Sequence, residues 1–401
     1  MTNLRQEEKD SYNELLETIV ESLDITETQF NNLIKSYKAV GDYLVEDAEL
    51  KLYHPVVSPQ GSLRLGTIIQ PINKEDDLDV DLVYRLIRKN PNWTQYILKN
   101  KVGLRLKASN IYSKMLDEEG RRCWTLKYRD NAESPKERYH MDILPCVADE
   151  EFDSILQNML NSAYQHDKID KLSIRITDKE SSNYFTETVS DSWLKSNPDG
   201  YALWFASRCK LNPQLNRRSL QDIVPIEKKV DKTVLQRIVQ LLKRHRDYMF
   251  KDDKDDKPIS IIITTLAAQA YNGEDNLLIG LYNVVNKMKL QIKNGIYWVE
   301  NPVNPEENFA DKWPTHQKRQ ENFLKWLKQI KEDINTILSC KGVALQNKLS
   351  SVFGREISAS AFSKATEKVK NNSSILKIAA TGALGSIGKA LNAANTFYGE
   401  E

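Results

Sequence analysis

Several things are scarce in this 401-residue chain, and each scarcity narrows what it can be. Cysteine is one. Cys123, Cys146, Cys209 and Cys340 are scattered with no C-x-x-C pair, which argues against a disulfide scaffold or a zinc module and fits a reduced cytosolic protein. Long apolar runs are another. No stretch approaches the ~18 apolar residues of a membrane span. The opening MTNLRQEEKDSYNELL is charged and lacks a signal-peptide apolar core. A soluble, cytoplasmic protein with no membrane partner is expected. An excess of either charge is also missing. The 57 Lys and Arg against 56 Asp and Glu leave a net charge of +1, so the whole chain carries no polyanion-binding signature and long nucleic acid is not an expected partner. No internal repeat is visible.

What is present is ample for a sizeable core, 40% hydrophobic residues. The length suits two or three domains, or one large bilobal unit. Residues 4 to about 50 read as helical scaffold, with Leu15, Ile19, Leu23 and then Phe30, Leu33, Ile34, Tyr37 recurring at three and four. Strands are expected at RCWTLKY (122–128), at RYHMDILPCV (138–147) after the polar loop RDNAESPKE, and at KLSIRITD (171–178). DKTVLQRIVQLLKRHRDYMF (231–250) reads as an amphipathic helix, followed by the charged connector KDDKDDKP. The length and Ala content of ISIIITTLAAQAY (259–271) favour helix, and more helix is expected at 274–294 and 317–340. The last 30 residues, rich in Ala, Gly, Ser and Asn, read as a mobile tail or a weakly held helix.

The chemistry concentrates in QGSLRLGTIIQPINKEDDLDVDLVYRL (60–86), which places acids inside an apolar run. Side chains alternate across a strand, so Asp79 and Asp81 share one face while Leu78, Val80 and Leu82 share the other. Two like charges this close must be wet, paired or metal-bound. A divalent cation resolves the repulsion economically, and hard oxygen ligands favour Mg²⁺ or Mn²⁺ over zinc. In YHMDILPC the pattern repeats, with His140 and Asp142 on one face and Met141 and Ile143 on the other. If the two strands are neighbours, Asp142 becomes a third carboxylate. Three acids can hold two metal ions about 4 Å apart, the geometry of in-line phosphoryl transfer, with Asp142 nearest the attacking hydroxyl.

Taken alone, Asp79 and Asp81 are also what an exposed polar strand face looks like, since alternation is common in antiparallel sheets. The turn upstream shifts the balance. Gly61 permits close backbone approach, and the N–H groups after it, with the Ser62 hydroxyl, can hold phosphate oxygens in a nest. A lone Gly-Ser is usually a plain turn. A Gly-Ser turn followed by alternating acids supplies phosphate donors and metal ligands for one nucleotide.

Gly61-Ser62, Asp79-Val80-Asp81 and Asp142 together resemble the polymerase-β-like nucleotidyltransferase superfamily. GSLRLGT, QPIN, DLDVDLVYRL, RCWTLKY and HMDILP resemble more closely the bacterial cGAS/DncV-like nucleotidyltransferases (CD-NTases), which make cyclic oligonucleotide signals in CBASS antiphage defence. IRITDK, NPDGYALWF, LQRIVQLLKRHRD and SIIITTLAA agree. The resemblance implies an α+β, bilobal fold with a mixed sheet bearing the catalytic acids in the N-terminal lobe and a helical C-terminal lobe. The segments would be a helical scaffold (1–50), a catalytic lobe (51–200), a helical lobe completing the nucleotide cleft (201–370) and a flexible tail (371–401).

The resemblance also implies residue roles. Asp79, Asp81 and Asp142 would be catalytic and hold Mg²⁺ (or Mn²⁺). Gln60, Gly61 and Ser62 would hold phosphate. Lys243 would contact the donor triphosphate, supported by Ser260, although Lys243 can also be read as a solvated helix charge beside Arg244 and Arg246. Arg64 is a further nucleotide-binding candidate or a solvent-facing residue. His140 reads as a packed or hydrogen-bonded strand residue, His245 as a helix-surface residue, Trp204 and Phe205 as core, and Tyr201 as a candidate for base stacking.

The implied activity is cyclic di- or trinucleotide synthesis from nucleoside triphosphates, with a cyclic-nucleotide-activated effector downstream. A template-independent polymerase, or an enzyme modifying tRNA or antibiotics, would use the same acids. A nucleotide-binding sensor without catalysis is the non-enzymatic alternative. In related systems a ubiquitin-transfer-like partner acts on the synthase's C-terminus. Here Gly399 is followed by Glu400 and Glu401, a departure that leaves conjugation open beside an inert tail.

Overall fold

The computed structural model describes residues 4–72, 77–129, 138–149, 172–209 and 232–371. The tail expected at 371–401 lies, apart from Asn371, outside the described residues, as does most of the loop 129–137. The chain forms two compact units. One comprises residues 25–236 and 291–311, the other residues 1–24, 237–290 and 312–401.

The first unit is built on a mixed sheet. Its strands are β1 (Pro55–Gln60), β2 (Leu78–Leu86), β3 (Trp124–Tyr128), β4 (Tyr139–Ala148), β5 (Ile174–Ile176) and β6 (Leu194–Ser196). The order is β1-β2-β4-β5-β6, and β3 also pairs with β4. β2 and β4 run parallel, and every other pairing in this sheet is antiparallel. One flank of β4 is taken entirely by β2, while β3 and β5 divide the other.

Alternation dictates what this sheet buries. Leu78, Val80, Leu82, Tyr84 and Leu86 of β2 enter one core with Tyr139, Met141, Ile143 and Val147 of β4. The helix Glu27–Val45 covers them through Leu33, Ile34, Tyr37, Val40 and Leu44, and the helix Gln95–Lys107 through Leu98, Val102 and Leu106. The opposite face of the strand pair carries the polar residues.

The second unit is helical. The helix Gln6–Glu21 buries Tyr12, Leu15, Leu16 and Ile19, and its Tyr12 hydroxyl donates to the Cys340 carbonyl at 2.7 Å. Helices Ser260–Ala270, Leu277–Lys287, Gln317–Ser339, Gly342–Phe353 and Arg355–Asn371 complete it. The helix Val234–Met249 carries the boundary between the units within its first turn.

These units cut the chain differently from the four expected segments. The N-terminal 50 residues form two helices with separate allegiances, because the apolar stripe of the first meets helices from the far end of the chain and that of the second meets the sheet. The helix expected over 274–294 stops at Lys287. Residues Gln291–Lys293 and Ile296–Trp298 form a hairpin instead. The reason is local. Asn294 (φ 53°) and Gly295 (φ 79°) both adopt positive φ, the two-residue turn that Asn-Gly favours between antiparallel strands.

Candidate active site

Strand β2 changes character along its length. On its non-core face Asp79 is exposed, Asp81 half-buried, and Val83 and Arg85 buried. The two carboxylates therefore occupy the open end of a strand whose other end is sealed, which is how charged groups stay hydrated on a strand that is otherwise core.

Strand pairing sets the companions of each acid. Asp81 stands level with Asp142 across the parallel β2–β4 pair, and Asp79 with His140. On the far side of β2, Gln60 is level with Asp81. On the far side of β4, Thr125 is level with Asp142. Gln60, Asp81, Asp142 and Thr125 thus form a polar row across four strands, at about 4.8 Å per step. The Thr125 hydroxyl donates to Asp142 Oδ1 at 2.5 Å and so orients the carboxylate. His140 Nε2 lies 2.9 Å from Asp77 and Arg138 Nε 3.2 Å from it, so His140 is a strand histidine tied to a neighbouring carboxylate.

The row is electronegative, and Cys123 registers it. Burial first, then the charges of Asp142 and Asp81, push its thiol up to about 12. It is held protonated beside the carboxylates and is no nucleophile at neutral pH.

The Gly61 turn packs directly on the second acid. Gly61 has φ +59°, and a Cβ there would collide with Asp81 Oδ2 and come within 3.0 Å of its Cγ. Glycine is required both for the left-handed backbone and for the close approach. Gly61–Arg64 forms one helical turn, anchored in the core by buried Leu63, with Ser62 half-buried. Gln60, Gly61 and Ser62 are therefore beside Asp81.

Among the described residues no group of three or more His, Cys, Asp or Glu side chains converges as a ready-made metal cage. The donor set still suits magnesium, which binds through one or two carboxylates and completes its shell with water and substrate phosphates. Asp81 and Asp142 are level oxygen donors on one face, with Asp79 one alternation away.

Arg64 does not face solvent. Its side chain is 6% exposed, and its guanidinium pairs with Asp199, the second residue of the helix Pro198–Arg208. Asp199 also accepts from Arg85 Nη1 at 2.8 Å. Burial pushes the Asp199 carboxyl up, but the Arg64 and Arg85 charges outweigh it and hold the group below the usual carboxylate range.

Lys243 and Ser260 belong to the helical unit. Lys243 is buried, as are Arg244, His245 and Arg246 after it, so the solvated alternative for Lys243 does not hold. Ser260 opens the helix Ser260–Ala270, and its hydroxyl accepts from Arg246 Nη1 at 2.8 Å. His245, expected on the helix surface, is buried with Nε2 3.0 Å from Asp333 Oδ2, because its helix is covered by neighbours on that side as well. Tyr201 is also buried, tilted against Trp204 at 5.3 Å and edge-on to Phe309 at 6.0 Å, so it packs rather than offering a free ring face. Phe205 is core as expected, and Trp204 is only half-buried.

Thr125, Arg85 and Asp199 were not singled out in the sequence. Thr125 carried a usable signal, since it shares the alternation of RCWTLKY, Trp124 and Leu126 being core and Thr125 not. Asp199 carried none, because its partners lie 114 and 135 residues away.

Known proteins resemble this chain in sequence and fold. Residues 55–146 match the family model for the nucleotidyltransferase domain of cyclic GMP-AMP synthase DncV-like proteins. A c-di-GMP synthase from Roseivirga ehrenbergii is 28% identical over 411 residues, covering 98% of both chains. The CD-NTase CdnG of Bradyrhizobium diazoefficiens, solved with GTP, shares the fold at TM-score 0.60 and 17% identity, over 89% of this chain and 100% of that one. CdnC of E. coli MS115-1, solved with ATP, does so at TM-score 0.56 and 13% identity, over 85% and 96%.

Proposed function

We propose that this chain is a cGAS/DncV-like nucleotidyltransferase that joins two nucleoside triphosphates into a cyclic dinucleotide, with GTP the first substrate to test. The observation that carries this reading is the row Gln60–Asp81–Asp142–Thr125 with the Gly61 turn packed against Asp81. The closeness of the turn and the acids supports their serving one nucleotide. The name of the Roseivirga relative and the GTP bound by CdnG support guanine.

In this reading the donor triphosphate lies on the Gly61–Ser62 turn. A ribose hydroxyl of the acceptor attacks the α-phosphorus. A new P–O bond forms, the bond to the leaving pyrophosphate breaks, and the hydroxyl proton passes to Asp142. Thr125 holds Oδ1, so Oδ2 is the atom assigned to that proton. The linear product reseats with its own triphosphate on the turn. A second attack of the same kind releases a second pyrophosphate and closes the ring. Asp79, Asp81 and Asp142 would hold Mg²⁺ (or Mn²⁺), which when bound supplies charge neutralisation at the triphosphate and a more acidic attacking hydroxyl.

The cyclic product would act as a second messenger in antiphage defence through an effector that binds it. No helix among the described residues is long and apolar enough to cross a membrane.

The test is a reaction with radiolabelled ATP, GTP, CTP and UTP, singly and mixed, with Mg²⁺ and then Mn²⁺, beside an Asp79→Ala/Asp81→Ala control. A phosphatase-resistant small product, absent from the control, is expected. Long or linear products would replace this reading with a template-independent polymerase.

A further inference from the structure

We propose that Asp199 is a positioning residue that latches the phosphate-holding turn to the catalytic strand through Arg64 and Arg85, and that Arg64 acts through this latch rather than as a nucleotide ligand. The inference rests on the reading of the site given above and adds a residue to it.

Three charged side chains meet where the sheet is sealed. Arg64, Asp199 and Arg85 are 6%, 5% and 4% exposed. Arg64 closes the helical turn that begins at Gly61, and its Nη1 also donates to the Pro59 carbonyl at 3.4 Å, at the end of β1. Arg85 sits on β2, on the same strand face as Asp79 and Asp81, roughly 13 Å beyond Asp81 along the strand. Asp199 gives one carboxylate oxygen to each arginine. The acid thereby ties the turn to the strand that carries the carboxylates.

The local structure holds Asp199 firmly. It follows Pro198 in the first turn of its helix, and the preceding Asn197 side chain caps that turn by accepting from the Gly200 N–H at 2.7 Å. A cap and a proline fix the helix start, and with it the direction of the Asp199 side chain.

Energetics favours a positioning role. A buried carboxylate between two guanidiniums is strongly coupled to both, and removing one member leaves uncompensated buried charge. Arg64 Nη1 is shared between Asp199 and the Pro59 carbonyl, so this arm of the guanidinium is committed within the fold. The turn has little freedom otherwise, because Gly61 is already pressed against Asp81. A small rotation of the turn would therefore move both the phosphate donors and the Asp81 carboxylate.

The experiment is a double-mutant cycle on nucleotide affinity, using full-length protein and non-hydrolysable α,β-methylene analogues of the four triphosphates. Wild type, Arg64→Gln, Asp199→Asn and the double variant are titrated calorimetrically, and each is melted. Each single variant should weaken the bound analogue by roughly tenfold, with the double variant no weaker than the worse single, as for neighbours in one charged network. Loss in Arg64→Gln with none in Asp199→Asn, or effects that multiply, would make Arg64 a direct ligand and overturn the latch. Lowered melting temperatures with unchanged affinity would reduce the cluster to a stability element and overturn it too. If Asp199→Asn does not fold, Arg85→Lys takes its place in the cycle and is judged by the same outcomes. Wild type that binds an analogue but yields no cyclic product overturns the proposed reaction and leaves the latch to the cycle. Wild type that binds none of the analogues overturns both.

Discussion

Asp81 and Asp142 stand level on adjacent parallel strands, each with a polar neighbour on its outer side, Gln60 for Asp81 and Thr125 for Asp142. Two carboxylates held side by side repel one another. The fold accepts that cost at the open end of the sheet, where function would use it.

Replacing either acid by its amide separates catalysis from stability. Asp81→Asn and Asp142→Asn should each lower cyclic-product formation by at least about 10²-fold, the scale seen when one electrostatic participant is removed. Thermal melts should be unchanged or slightly higher, since a like-charge contact has been relieved. An active amide variant at either position would contradict the assigned site.

Gly61→Ala places a methyl group against the Asp81 carboxylate and a non-glycine residue at φ +59°. Strain of this kind costs on the order of 1–3 kcal/mol. A denaturant melt should show that loss, and nucleotide affinity should fall with it because the turn must shift. An alanine variant with wild-type affinity would remove the turn from the binding surface.

Thr125→Val keeps shape and strand propensity but removes the bond to Asp142 Oδ1. Turnover should fall by about 10–100-fold, as for other residues that orient a carboxylate from behind. Substrate KM should change little, and Thr125→Ser should restore most of the rate. Equal loss in the serine and valine variants would mean that packing, not the hydroxyl, matters here.

His245 gives the helical unit a pH dependence. Burial, opposed by the contact with Asp333, lowers its pKa below the ordinary 6.5. The unfolded chain therefore binds a proton before the folded one does, and stability should fall as pH drops through 6.5 toward the lowered folded value. Asp333 acts at more acid pH. Burial raises its pKa, but bonds from His245, Lys348 and Gln329 lower it to about 2, so its contribution is present above 3.8 and lost as pH falls toward 2. Urea melts between pH 7.5 and 5 should show the first slope in wild type and a shallower one in His245→Gln. Parallel slopes in the two proteins would assign the titration elsewhere.

The composition of QGSLRLGT and DLDVDLVYRL was enough to expect a turn, a strand with one acidic face, and a nucleotide bound to both. These are short-range properties. Strand alternation is a two-residue period, and a left-handed turn needs glycine at one position. The Asn294–Gly295 hairpin was legible by the same local chemistry, yet it was absorbed into an expected helix because the apolar run before it is helical. Partnership was not legible. That Asp142 stands level with Asp81, rather than one or two residues away, follows from how the apolar faces of β2 and β4 pack into one core, with 60 residues of chain between the two acids. Arg64 looked like a surface cation or a phosphate ligand because nothing nearby in the chain could neutralise it. Its partner arrives from a helix 135 residues later, and only burial of all three charged groups makes that pairing decisive. Local periodicity specifies which faces are polar, whereas long-range packing in a low-dielectric interior chooses which polar groups meet.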